Sequence, residues 1–404
     1  MLVLTTAIVA TLIAGGCSHE SSVSAPASES QRYRLARPVA ERWIQLLAAH
    51  RTGAALEAPT GEASRRSLNE LAAWLNRLPL SQLRVVASDV PVRDRNASGV
   101  LLTLTGRLGR APSSIWLDMG QRALEVRDTG NGWKVADDIS AGAGITVVRS
   151  GLGAIPSARY VLGNDSVVVD ASDRDPAGAA SAAAVADRAV PYLRTRYPDR
   201  VAMERPVIFL VPDWPTAQSV ANAVFPHELL GVDWRDLVYI DDAAWQSEPV
   251  AYQGAAIVHE LTHVATTGIV RGTPESMVEG IARYEEAAYL RRSGARLPLG
   301  TLVAAYRRGY PSLHRWTQRL EPVWGLSNQS AIALAYDDGF AVVQAVIDRH
   351  GGVAALRRLG AAFRRRASGG DFTPADVGAV FRSALGVSFE QVVREAHGFA
   401  RESG

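Results

Sequence analysis

The sequence predicts an α+β protein made of two folded units behind an export segment. Three observations carry that expectation. Residues 32–150 hold helical apolar runs followed by alternating strand runs. The rest of the chain starts with short apolar strands and ends in helices, the order of an α+β unit. His259-Glu260-Leu261-Thr262-His263, in the second unit, puts two imidazoles and a carboxylate within one helical turn.

The bulk numbers allow a real core. Of 404 residues, 47% are hydrophobic and 21% charged. The net charge of +2 is too small to argue for a nucleic-acid partner, and none is expected. Lys134 is the only lysine. With so many Ala and Gly residues, that arginine preference reads as GC-rich coding bias rather than a chemical choice.

Residues 1–16 form an apolar run that ends in small residues. It is shorter than the ~20 residues of a comfortable membrane span, and it reads as a signal peptide. Ala14-Gly15-Gly16-Cys17 resembles a lipobox, which implies lipidation of Cys17 and a mature protein anchored to the cell membrane, facing outward. Two departures stand against it: no Lys or Arg precedes the run, and Ala14 stands where Leu is usual. A cleaved secretory signal with an incidental cysteine is the alternative, and either way the protein is exported. Residues 17–31, rich in Ser, Ala, Glu and Pro, bury too little apolar surface to fold and are expected to be a tether.

In the first unit, Pro38–His50 is a predicted helix through Val39, Trp43, Leu46 and Leu47. Leu68–Leu78 is a second, through Leu71, Trp74, Leu75 and Leu78. Strands are expected at Leu83–Ser88, Val100–Leu108, Ser114–Leu117, Ala123–Arg127 and Trp133–Ala136, with an Asn131-Gly132 turn before the last. Helices followed by a meander ending in NGWKVADD look like the NTF2-like (cystatin-like) cone fold. No titratable constellation fills such a cleft here, so a structural or substrate-presenting role is expected.

Glycines in residues 141–157 mark a boundary, and the second unit takes residues 155–404. Its strands are expected at Tyr160–Leu162, Val167–Asp170, Val207–Val211 and Leu237–Ile240, with an Ala-rich helix at Ala177–Arg196 and mostly helix after Pro249.

The pentad suits a helix. Ser247 or Glu248 can cap it, Pro249 fits a first turn, and Gly268 can end it. Side chains four apart on a helix stack ~5–6 Å apart, so His259 and His263 can both reach one Zn²⁺. Glu260 then projects beside the metal, where a general base is needed. A thiolate cannot complete the site, because Cys17 is the only cysteine. A carboxylate is expected, and Glu279 is the best placed; Glu275, Glu285 and Glu286 compete. Two histidines on a polar helix face are the bland alternative.

HELTHVAT followed by TPESMVEGIARY resembles the gluzincin pattern of the peptidase MA clan and is similar to exported bacterial peptidase MA-like domains. The resemblance implies a zincin-like fold, with His259, His263 and Glu279 as zinc ligands and Glu260 as base. It also implies a strand antiparallel to bound peptide at the cleft edge, a place that Leu237–Ile240 occupies. Ser276-Met277 stands where Trp-Leu is usual, at a position that packs rather than reacts. AYDDGFAVV resembles the family's later helix and makes Tyr336 a candidate donor to the oxyanion; Tyr310, His314 and Tyr284 compete. Residues 373–399 match the family's closing helices. Arg349, Arg357, Arg358 and Arg364–Arg366 read as solvated helix faces, with contact to anionic headgroups as the sharper alternative.

The function so implied is zinc-dependent hydrolysis of peptide or protein substrates by a membrane-tethered monomer. A catalytically inactive surface protein that captures ligands in the peptidase or NTF2-like cleft is the alternative.

Overall fold

The computed structural model describes residues 28–49, 62–109, 116–140, 151–155, 157–171, 176–198, 203, 205–221, 223, 231–234, 236–270, 272–295, 329–366 and 373–402. The signal segment, Cys17, Tyr310 and His314 lie outside them. The α+β expectation holds: two small sheets and a largely helical remainder.

The first unit comprises α1 (Glu29–Ala48), α2 (Glu62–Arg77) and an antiparallel meander of β1 (Leu80–Val90), β2 (Ala97–Leu108), β3 (Leu117–Asp128) and β4 (Trp133–Asp138), in that order. Helix α1 starts nine residues before Pro38, so the end of the expected tether is helical. Ser28 caps it by accepting the Gln31 N–H at 3.3 Å. Pro38 leaves one helical hydrogen bond unmade, yet the helix continues. Ala36, Ala40, Ile44 and Leu47 form a fully buried stripe along it, and that burial outweighs the lost bond.

Strand β3 replaces the last part of one expected strand and the whole of the next. It runs through Gly120 at φ 77°, beside a register shift opposite Thr103–Thr105. Glycine tolerates that left-handed conformation, so the chain bulges and the strand continues.

A 3₁₀ turn at Gly151–Ala154 precedes the second sheet. Leu152 and Ile155 are buried in a hydrophobic core that continues from the first unit into the second sheet. That sheet holds β5 (Arg159–Leu162), β6 (Val167–Asp170), β7 (Val207–Val211), β8 (Gly231–Trp234) and β9 (Leu237–Asp241), in the order β5-β6-β7-β9-β8. Its middle strands are parallel and its outer pairings antiparallel. β6 and β7 are buried along their whole length, as continuous apolar runs should be. Helices α3 (Pro176–Arg196) and α4 (Trp214–Ala221) flank them in sequence.

The placing of Leu237–Ile240 at the cleft edge is corrected here. β9 is hydrogen-bonded to β7 on one side and to β8 on the other, so its ladder is full. Among the described strands the edge is β8, paired antiparallel to β9, and Asp236 just before β9 takes φ 65°.

The helical part comprises α5 (Asp242–Ser247), α6 (Val250–Val270), α7 (Glu275–Arg292), α8 (Gln329–His350), α9 (Gly352–Arg366), α10 (Pro374–Leu385) and α11 (Phe389–Glu402). Ser247 belongs to α5, capped by the Asp241 side chain at the Ala244 N–H, instead of capping α6. Helix α6 contributes to both cores. Ile257, Val258, Leu261 and Val264 pack with the sheet, and Ala255 and Val270 pack among the later helices. At ~1.5–3 kcal/mol per fully buried aliphatic side chain, this holds the helix far more firmly than its own propensity would.

The arginine cluster is largely engaged within the protein. Arg364 donates to the Gly268 and Ile269 carbonyls at the end of α6, at 2.7 and 3.0 Å. Arg358 donates to the carbonyls of Ala384 and His350, both at 3.0 Å, and Arg366 pairs with Asp376. Such bonds satisfy exposed helix carbonyls. Three of these arginines thus hydrogen-bond within the protein from exposed positions.

Candidate metal centre

His259 and His263 stand one turn apart on α6, and Glu279 reaches them from α7. Glu279 Oε2 lies 3.3 Å from His259 Nε2 and 3.3 Å from His263 Nε2. One ligand atom from each of the three residues falls within 4.8 Å of the others, and this is the group of that kind among the described residues. An ion with four ligands at ~2.0–2.1 Å in a tetrahedron holds neighbouring donors ~3.3–3.4 Å apart. The two imidazole–carboxylate spacings match that edge, so the donor set fits zinc in both chemistry and size.

All three side chains are buried. Burial works against the His259 imidazolium, but hydrogen bonds to Glu279 and Glu286 outweigh it and raise its pKa to about 10. Burial likewise works against the Glu279 carboxylate, and the charges and hydrogen bonds of His263 and His259 pull it well below the usual range. Helix α6 also buries Thr262 and Thr266, whose hydroxyls donate to the Val258 and Thr262 carbonyls at 2.6 and 2.7 Å.

Glu260 is buried beside the start of the edge strand. A Cβ placed on Gly231 would stand 2.7 Å from Glu260 Cγ and 2.9 Å from its Oε1. Glycine is what lets β8 come this close to the carboxyl. No signal in the sequence drew attention to Gly231, because the short GVDW run lacks a strand pattern.

Tyr336 joins the same space from α8. Its ring stacks on that of His259, with centroids 5.9 Å apart and planes 7° apart. Burial raises its hydroxyl pKa, and the charges of Glu279 and Glu260 and a hydrogen bond with Glu279 raise it further. Tyr284, by contrast, lies under the Arg196 guanidinium, 5.7 Å from its ring centroid.

The competing carboxylates separate by position. Glu285 is fully buried on another side of α7. It accepts from Tyr192 at 2.5 Å, Tyr197 at 2.8 Å and Arg196 at 2.7 Å. Glu286 turns to the other ring nitrogen of His259, at 3.2 Å. Glu275 stays in the first turn of α7, within electrostatic reach of Tyr336. Ser276 and Met277 are buried, and Ser276 presents its carbonyl to the Gly339 backbone. The departure from Trp-Leu is therefore a packing change, with the carboxylate of Glu279 still in place.

Similar solved structures are M1 zinc metallopeptidases. One from Deinococcus radiodurans is 15% identical, with a TM-score of 0.32 over 79% of this chain and 61% of that one. A mutant of the Deinococcus radiodurans enzyme bound to a Tyr-Ser-Ala substrate is 16% identical, with a TM-score of 0.30 over 79% and 62%. A two-domain M1 zinc metallopeptidase bound to L-arginine is 15% identical, with a TM-score of 0.33 over 79% and 61%. The chain thus spans about three fifths of the length of these neighbours. No protein-family model and no curated protein matches it. Likeness at this level adds no weight to the site, whose own geometry has to carry its chemistry.

Sequence pattern alone leaves Glu286 level with Glu275 and Glu285, and it assigns no role to Arg283 or Asp337. One signal was available: Glu279 and Glu286 are seven residues apart, two turns on one helix face.

Proposed function

We propose that this chain is a zinc-dependent peptidase. The observation that carries the reading is the convergence of His259, His263 and Glu279 at tetrahedral-edge spacing, with Glu260 and Tyr336 beside them. Those three residues would hold Zn²⁺, which when bound lowers the pKa of water and polarises a carbonyl.

The chain's own groups supply the rest. Glu260 accepts the proton of the attacking water and passes it to the departing amine. Tyr336 turns its hydroxyl from Glu279 to the oxygen on which negative charge develops. An extended peptide pairs with the side of β8 away from β9, where no described strand lies; β8 begins beside Glu260, so that main-chain hydrogen bonds carry the peptide backbone past the base. Residues 32–150 are read as an NTF2-like support. Export and anchoring through Cys17 complete the reading, which places the cleft on the outer face of the cell membrane with peptides or proteins as substrates.

The test is metal content after purification in zinc, together with cleavage of a random peptide library with and without a chelator. Zinc at one per chain and chelator-sensitive cleavage are expected. Glu260→Gln should keep the zinc and lose the cleavage. Zinc-free protein, or full activity in Glu260→Gln, sinks the reading. A zinc-loaded protein that cleaves nothing returns it to a surface ligand-binding role.

A further inference from the structure

Behind the metal centre lies a chain of charged groups that the reaction above does not use. Glu279 and Glu286, two turns apart, both face α6 and grip opposite sides of one imidazole. Glu279 meets His259 Nε2 at 3.3 Å, and Glu286 meets its Nδ1 at 3.2 Å. A carboxylate on Nδ1 favours the tautomer that carries its hydrogen there, leaving the Nε2 lone pair for a metal.

Arg283 stands behind Glu286. It donates Nη1 to both carboxylate oxygens, at 3.1 and 3.0 Å. Its Nη2 faces Asp337 of α8 at 3.5 Å. The side chain of Asp337 is buried, at 4% exposed, and those of Glu286 and Arg283 are part-buried, at 12% and 22%. Arg283 Nε and Asp337 Oδ1 are buried without a hydrogen-bond partner of ordinary length. Burying this much charge is costly, and apolar residues would hold two helices together as well or better. Packing alone does not account for the arrangement. Its two ends do: one is the His259 ring, and the other is the residue that follows Tyr336 in the chain.

We propose that Glu286 and Arg283 are positioning residues that fix the tautomer and angle of His259 for metal capture, and that Asp337 ties them to α8. The inference rests on the zinc reading only in that the site takes a metal.

The experiment measures zinc affinity of the full chain by competition with a chromogenic chelator, alongside metal-free thermal unfolding. Glu286→Gln, which keeps the shape, is expected to weaken zinc binding about 10- to 100-fold. Arg283→Met should weaken it similarly, and Arg283→Lys should restore part of the loss. Asp337→Asn should weaken it less. In cobalt-loaded protein, the visible spectrum of Glu286→Gln should shift, which a purely structural role would not cause. If Glu286→Gln does not fold, the contrast between Arg283→Met and Arg283→Lys decides. Zinc affinity and cobalt spectrum unchanged in the variants, with wild type binding zinc, overturn this inference alone. Wild type that binds no zinc overturns it together with the peptidase reading.

Discussion

Gly280 of α7 and Gly339 of α8 meet backbone against backbone. A Cβ on Gly280 would overlap the Gly339 carbonyl group, and a Cβ on Gly339 would overlap the Ser276 carbonyl oxygen. The crossing sets the site. Gly280 follows Glu279 directly, and Tyr336 lies one turn before Gly339. Close approach of the two backbones is what brings the Tyr336 hydroxyl to Glu279 and Asp337 to Arg283. Gly339→Ala should therefore force the helices apart and cost ~1–3 kcal/mol, as overpacked cores do. Thermal unfolding should show a lower midpoint, and zinc affinity should fall with it. An unchanged midpoint would mean that the helices can part freely.

Tyr336→Phe removes the hydroxyl and keeps the ring on His259. Loss of an oxyanion donor typically costs about 100- to 1,000-fold in kcat. Steady-state kinetics should show that loss with little change in KM, and zinc content should stay at one per chain. Equal kcat in the variant would remove Tyr336 from the chemistry.

Metal removal should destabilise the fold, because the ligands come from two helices. Zinc at about 100 times its Kd adds ~2.7 kcal/mol to a site formed only in the folded state. Dialysis against chelator should lower the unfolding midpoint, and zinc should restore it. Capture should also release protons. Hydrogen bonds to Glu279 and Glu286 favour the charged form of His259, and metal capture at Nε2 requires that nitrogen to be free of its proton. Apparent zinc affinity should thus rise with pH between 6 and 8, and calorimetry in buffers of different ionisation enthalpy should count the protons.

Gly231→Val puts a branched side chain where Glu260 lies. Zinc binding should survive, because the three ligands are elsewhere, while cleavage should fall at least tenfold through displacement of the base. Cleavage at the wild-type rate would show that the edge strand can step away from Glu260 without cost.

Glu285→Ala should unfold the protein more readily without touching the metal centre directly. It leaves Arg196, Tyr192 and Tyr197 without their shared acceptor. Breaking one side of a buried pair costs ~3–5 kcal/mol, and the partial exposure of Arg196 favours the low end. Chemical denaturation should show the loss in both zinc-loaded and metal-free protein.

The sequence was most legible where one helix or strand carried the whole signal. His259, Glu260 and His263 are neighbours on a single helix, so spacing alone brought them together. β7 was bounded to the residue, because a five-residue apolar run between prolines has few other uses. Glu279 stood out on its own among four carboxylates through small neighbours and a family resemblance, and the geometry then set it apart from them. β8 is not legible because GVDW, four residues led by a glycine, carries neither an alternating nor a continuous apolar pattern. β3 was split because Gly120 reads as a break, and the bulge that absorbs it is a property of the paired sheet.

The sequence by itself determined that His259, Glu260 and His263 share one stretch of a single helix, since helical periodicity is local and 3.6 residues per turn is the same in every fold. The tertiary structure decided which strand forms the edge, which nitrogen of His259 meets which carboxylate, and where Tyr336 comes to rest. Those depend on how closely two backbones approach at Gly280 and Gly339, and on strand order in a sheet whose parallel neighbours are far apart in sequence. Such contacts are settled by packing between distant segments, and no local period encodes them.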